Sequence, residues 1–305
     1  MVTLAKMGAA AALGIAAMGS ALGCGTAGMS AITMWKKAYA QGKSALFTLL
    51  VFVGAPISQT IYGMLLMNFI LDAAKASDFT NWGGCLGAGI FGGLGMMASA
   101  WYQGKSAAVA CDALGETGKG MVNYLMVLGI VETVALFVLV FSMMVLHYSS
   151  EVARMDQTQF LTLAKLGAVA ALGLAAVGSA LGCGTAGMAA IGAWKKAYLK
   201  GKNALFTLLI FVGAPIAQTI YGMLLMMFIL NKSQAAPGNW AAYLGVGIFG
   251  GIGMMASAWY VGKSAADACN ALGETGKGLV NYLMVLGVGE TVALFVMVFS
   301  MMLVS

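Results

Sequence analysis

Charge is scarce in this chain. Only 9% of its 305 residues are Asp, Glu, Lys or Arg, whereas 61% are apolar, and the mean hydropathy is +0.91. Soluble domains carry about a quarter charged residues, so that class is excluded. Long polar stretches are missing too: the longest runs from His147 to Gln159, enough for a connector but not for a soluble catalytic domain. Cysteine contributes five scattered residues, Cys24, Cys85, Cys111, Cys183 and Cys269. Odd in number and without metal-ligand spacing, they read as small packing residues.

What is abundant is apolar length. Stretches near 8–34, 45–71, 83–104, 121–146, 161–193, 204–230, 240–262 and 279–304 each suffice to cross a bilayer as a helix. The expected fold is an all-α membrane protein of eight transmembrane helices arranged as tandem helical hairpins. The first stretch is too long and too Gly-rich for a cleaved leader. The net charge of +6 is not a nucleic-acid signal, because the lysines cluster in short loops, as at Lys36, Lys37 and Lys43 and at Lys195, Lys196, Lys200 and Lys202. Loops 1–2, 3–4, 5–6 and 7–8 hold eleven of the sixteen basic residues, which by the positive-inside rule makes them cytoplasmic and leaves both termini outside.

The chain repeats itself. Leu4-Ala5-Lys6 returns as Leu163-Ala164-Lys165, an offset of 159 that becomes 158 after the loop around Trp82 and Trp240, so one residue was lost there. Two four-helix repeats, 1–150 and 151–305, follow. With four spans each, both halves enter the membrane in the same orientation, an arrangement that suits a ring or an arc. Each half is itself doubled at low resolution, a Gly-rich span followed by a bulky one, twice. Gly14, Gly19, Gly23, Gly25 and Gly28 mark the first slim span, and Gly87, Gly89, Gly92, Gly93 and Gly95 the third. Such helices approach closely in lipid and fit the inner wall of two concentric layers, with bulky spans outside.

Two kinds of glycine motif carry no chemistry. Gly23 to Gly28 and Gly182 to Gly187 match the dinucleotide fingerprint without a preceding strand, and Gly115 to Gly120 resembles a phosphate loop with wrong spacing and no Ser or Thr after Lys119. No ATP site is expected in this chain.

The signal that remains is Glu132, inside the apolar run from Met121 to Leu146, and its copy Glu290. An ionisable side chain at that depth costs roughly 2.5–3.5 kcal/mol on insertion scales, which marks a functional site. The bulky span two before Glu132 carries Ala55-Pro56-Ile57-Ser58-Gln59-Thr60-Ile61-Tyr62, with Ser58, Gln59 and Tyr62 on neighbouring parts of one helical face. Pro56 disturbs the turn and frees backbone oxygen. Hydroxyl, amide, carbonyl and carboxylate oxygens together suit a hard cation such as Na⁺. The set recurs as Pro215, Gln218, Thr219 and Tyr221 with Glu290.

These residues resemble the proteolipid (c or K) subunit of V/A-type rotary ATPases over nearly the full length, as a fused pair of four-helix subunits. The resemblance implies a Na⁺ site from the pattern Pro-x-Thr-Gln-x-x-Tyr, a helix-3 Gln and the helix-4 Glu. Here that is the Ala55 carbonyl, Ser58 in place of Thr, Gln59, Tyr62, Gln103 and Glu132. In the second half Gln218, Tyr221, Glu290 and the Ala214 carbonyl remain, but Ala217 stands where Ser58 was and Val261 where Gln103 was. Two unequal sites are expected, Na⁺ at Glu132 and Na⁺ or H⁺ at Glu290. The resemblance also implies a two-layer rotor ring of further copies, surrounded by lipid in a prokaryotic plasma membrane. A stator (a or I) subunit would supply the Arg missing from these spans, and a central-stalk subunit would sit on the cytoplasmic loops. This chain would be a non-catalytic subunit with no cofactor beyond the transported ion. The rival reading is a stand-alone secondary transporter or channel with carboxylate ion sites.

Overall fold

Helices rich in Gly and Ala present little side chain between their backbones, and in lipid, where no hydrophobic drive separates helix from solvent, close packing decides which helices meet. A computed structural model describes residues 1–76, 79–146 and 155–305, with backbone only for 155 and 156. Eight helices are long and apolar enough to cross a membrane: α1 (Val2–Ala40), α2 (Leu49–Ala73), α3 (Trp82–Thr117), α4 (Met121–Leu146), α5 (Gln157–Leu199), α6 (Leu208–Ala235), α7 (Pro237–Thr275) and α8 (Leu279–Leu303). No strand occurs among the described residues. The fold is the expected all-α one, in consecutive hairpins.

The odd-numbered helices form one layer, α1 against α3, α3 against α5 and α5 against α7. The even-numbered helices form a second layer seated in the grooves of the first: α2 on α1, α4 between α3 and α5, α6 on α5 and α7, α8 on α7. Glycines set the spacing of the first layer. A Cβ on Gly104 would stand 2.1 Å from Gly23 Cα, and one on Gly262 would stand 2.1 Å from Gly182 Cα.

The expected span limits need correction. The odd-numbered helices run 39, 36, 43 and 39 residues, well beyond the apolar stretches read from sequence. At 1.5 Å per residue they exceed the roughly 30 Å hydrocarbon core by more than 20 Å. The excess carries the lysine-rich end, where charges pair with one another. Lys195 of α5 reaches Asp112 at 2.6 Å and Glu116 at 2.8 Å on α3, and Lys37 of α1 reaches Glu116 at 3.4 Å. The His147–Gln159 connector is also shorter than expected, since helix begins at Met155. The rest of it, including the boundary at 150 and Arg154, lies outside the described residues. Gly118, at φ +66°, ends α3 in the left-handed conformation that lets α4 start at once.

Lys195 joins the two halves, and its side chain is 20% exposed. Lys195→Met should cost about 1 kcal/mol, more than a fully exposed pair. Thermal unfolding of the purified protein in detergent should show a lower Tm at low salt, with the gap to the parent narrowing as salt rises.

The contact between halves is left unfinished at the ends of the arc. Gly173 and Gly184 of α5 pack on Phe91 and Tyr102 of α3, while their α1 equivalents Gly14 and Gly25 have nothing within 4 Å of a built Cβ. The equivalents of Phe91 and Tyr102 are Phe249 and Tyr260, 74% and 62% exposed. One edge is therefore the complement of the other, the arrangement that a head-to-tail ring requires.

Candidate ion site

Proline cannot continue the ladder of α2, and the turn Ala55–Ile57 tightens to a 3₁₀ helix around Pro56. Gly23 makes room for it: a Cβ there would stand 2.8 Å from Pro56 Cβ. The turn aims Gln59 toward α3 and leaves Ser58 beside it. The same geometry recurs at Ala214–Ile216, with Pro215 over Gly182.

In the first half the polar side chains meet. Gln59 and Gln103 are fully buried, and Gln59 Nε2 donates to Gln103 Oε1 at 3.0 Å and to Ser99 Oγ at 3.2 Å. Gln103 Nε2 donates to Glu132 Oε2 at 3.1 Å and to the Leu128 carbonyl at 3.0 Å. Tyr62 donates its hydroxyl proton to Glu132 Oε1 at 2.6 Å. Ser58 Oγ lies 3.1 Å from both Gln59 Oε1 and the Ala55 carbonyl, and its single proton can go to either. All six residues of the expected set thus belong to one cluster contributed by α2, α3 and α4. α3 continues as helix past Gln103 to Thr117, and Lys105 lies over the rings of Trp101 and Tyr102.

Glu132 is half-buried near the middle of α4 and, like Glu290, makes no ion pair among the described residues. A carboxylate held by one hydroxyl and one amide keeps oxygen lone pairs for a cation, and neighbouring Gln and Ser side chains add neutral oxygens. Chemically, the cluster can exchange a bound ion for a charged carboxylate.

The second half brings less together. Tyr221 donates to Glu290 Oε1. Gln218 is fully buried, yet neither its Nε2 nor its Oε1 has a hydrogen-bond partner, and Thr219 Oγ1 has none either. Ser257, the counterpart of Ser99, donates to the Gly289 carbonyl at 2.8 Å. Val261 is 3% exposed and occupies the place of Gln103. Ala214 sits in the tight turn and Ala217 follows it without a hydroxyl.

Two residues escaped the sequence reading. Ser99 accepts from Gln59 and donates to the Val131 carbonyl at 2.8 Å; its signal was recurrence as Ser257 one helical turn before the Gln103 position. Gly289 replaces Val131 directly before the carboxylate, and a Cβ there would meet Val261 Cγ2 at 3.0 Å.

Residues 86–145 and 244–303 each match the family of ATP synthase C subunits. Each match spans the second hairpin of a half, α3–α4 and α7–α8, and so contains Glu132 or Glu290 but not the polar residues of α2 or α6. No curated protein and no solved structure matches the chain. The duplicated match and the eight apolar helices make this an integral membrane protein similar to a fused pair of ATP synthase C subunits, an ion-translocating rotor component of a kind that assembles with further copies into a ring.

Proposed function

We propose that this chain forms the rotor ring of a V/A-type ATPase and couples ion translocation to rotation through Glu132 and Glu290, with Na⁺ the ion at Glu132. The observation that carries the reading is the convergence of Tyr62 and Gln103 on Glu132, with Gln59 bonded to Gln103 behind them. A charged carboxylate cannot pass through lipid cheaply, and a bound cation neutralises it. Rotation then carries the ion from one half-channel of a stator subunit to the other, where an Arg of that subunit displaces it. Each elementary charge crossing 100 mV exchanges about 2.3 kcal/mol with the membrane potential.

The unmatched edges of the arc support closure by further copies, with Lys36 of one copy facing Asn270 and Glu274 of the next as Lys195 faces Asp112 and Glu116 within the chain. The lysine-bearing loops lie on the cytoplasmic side and seat a central stalk, and nucleotide hydrolysis belongs to soluble subunits. A stand-alone transporter would have no use for two complementary exposed edges.

In mild detergent the chain should therefore run as a large oligomer, and the assembled complex should show ATP hydrolysis that rises with Na⁺ and is blocked by dicyclohexylcarbodiimide. A small monodisperse monomer would sink the ring. Hydrolysis indifferent to Na⁺ would sink the choice of ion.

A further inference from the structure

We infer that the two sites of one chain carry different cargoes: Na⁺ at Glu132 and a proton, with one bridging water, at Glu290. The inference rests on the rotor reading above and goes beyond it by assigning the second ion.

Dehydrating Na⁺ requires oxygens that replace its water shell. The first half supplies them from Glu132, Gln59, Gln103 and Ser58, already within hydrogen-bond distance of one another in a connected set. The second half has exchanged two of these for hydrocarbon. Val261 cannot accept, donate or coordinate, and its side chain fills the position from which Gln103 linked Gln59 to the carboxylate. Ala217 removes the hydroxyl that Ser58 offers.

The consequence is visible at Gln218. Its amide stays in place, fully buried, with both polar atoms unpartnered. A buried amide left unsatisfied is costly, so the site calls for a small polar ligand. Water has the size and the dual character that Gln103's amide provides in the first half: it can accept from Gln218 Nε2 and donate toward Glu290. Ser257, Tyr260, Val261 and Gly289 line a groove of about 280 Å³ on the edge that faces the next copy in the ring.

A proton asks for far less than Na⁺. Glu290 needs only to take it on one oxygen while Tyr221 donates to the other. The charged and titratable surroundings do not replace the lost ligands. Tyr221 is the titratable contact from α6. On α7, Tyr260 lines the groove, and Lys263 lies over the Trp259 and Tyr260 rings, 4.4 and 4.6 Å from their centroids. On α8 itself, Tyr282 stands two turns away and packs on Phe211. A full turn of the ring would then move one Na⁺ and one proton per chain, and the drive at the two sites would follow different gradients.

The test is dicyclohexylcarbodiimide labelling of the purified ring across pH, with and without Na⁺, following the Glu132 and Glu290 peptides separately by mass spectrometry. The reagent attacks the protonated acid. Na⁺ should slow labelling at Glu132 by roughly tenfold or more, whereas Glu290 labelling should fall with rising pH and ignore Na⁺. In the double variant Ala217→Ser, Val261→Gln, Na⁺ protection should appear at Glu290, with unchanged protection of Glu132 reporting an intact fold. Equal protection of both carboxylates in the parent protein overturns the inference and leaves the Na⁺ rotor standing. Protection of neither overturns the Na⁺ reading itself, and with it the difference between sites. A double variant that folds but gains no protection overturns the role given to the two lost ligands.

Discussion

Glu132→Gln should weaken Na⁺ binding at the first site severely without disturbing the fold. The amide is isosteric with the carboxylate, keeps an oxygen to accept from Tyr62, and remains half-buried among the same neighbours. What disappears is the negative charge. Na⁺ would leave water for a site of neutral oxygens only, and a charge-assisted contact would become a dipolar one. A loss of affinity on the order of 100-fold, equivalent to about 2.7 kcal/mol, is the expected scale. Carbodiimide labelling of this peptide should vanish, labelling of Glu290 should persist, and Na⁺ uptake into vesicles by the assembled complex should fall to background. The Tm in detergent should stay within a degree or two of the parent. Retained Na⁺ uptake would show that Glu132 is not a carrier and would move attention to Glu290.

The polar cluster around Glu132 was largely legible in the sequence because two physical constraints act on it at once. A carboxylate inside an apolar run is too costly to be incidental, and the repeat shows which polar residues travel with it. Gln59, Gln103 and Tyr62 all proved to lie in one hydrogen-bonded cluster with Glu132. The layering was legible for a related reason, since glycine runs announce backbone approach before any contact is seen.

The span limits were not legible, and the reason is electrostatic. Hydropathy falls where charged residues begin, yet Lys37, Asp112, Glu116 and Lys195 sit on continuous helices because they neutralise one another across α1, α3 and α5. Helix beyond the hydrocarbon edge needs partners, not apolarity. Gln218 was misleading in the other direction. Its unchanged position within the repeat suggests an intact ligand; the sequence shows the exchange of Gln103 for Val261, and the structure adds that the Gln218 amide is left buried with no partner. A substitution on one helix changed the meaning of an unchanged residue on another.

The two glycines Gly104 and Gly25 should respond to the same substitution in opposite ways. At Gly104 an added Cβ would stand 2.1 Å from Gly23 Cα and 2.4 Å from Gly23 O. Backbone cannot rotate away as a side chain can, so α1 and α3 would have to separate, and α2 would lose its seat on both. The Pro56 turn rests on the same glycine of α1, so the displacement would reach Ser58 and Gln59 directly. Gly104→Val should cost about 3 kcal/mol or more, at the upper end of overpacking effects, and appear as a large drop in Tm together with weaker Na⁺ protection of Glu132. At Gly25 a Cβ meets nothing within 4 Å in the single chain, so Gly25→Val should leave the folded chain nearly as stable. Its equivalent Gly184, however, has Tyr102 Cβ at 2.6 Å from the same built position. If Tyr260 of a neighbouring copy meets α1 as Tyr102 meets α5, Gly25→Val should break the ring into smaller particles on size-exclusion chromatography while helix content is retained. A Gly25→Val protein that still forms the full ring would show that the edges join in some other register.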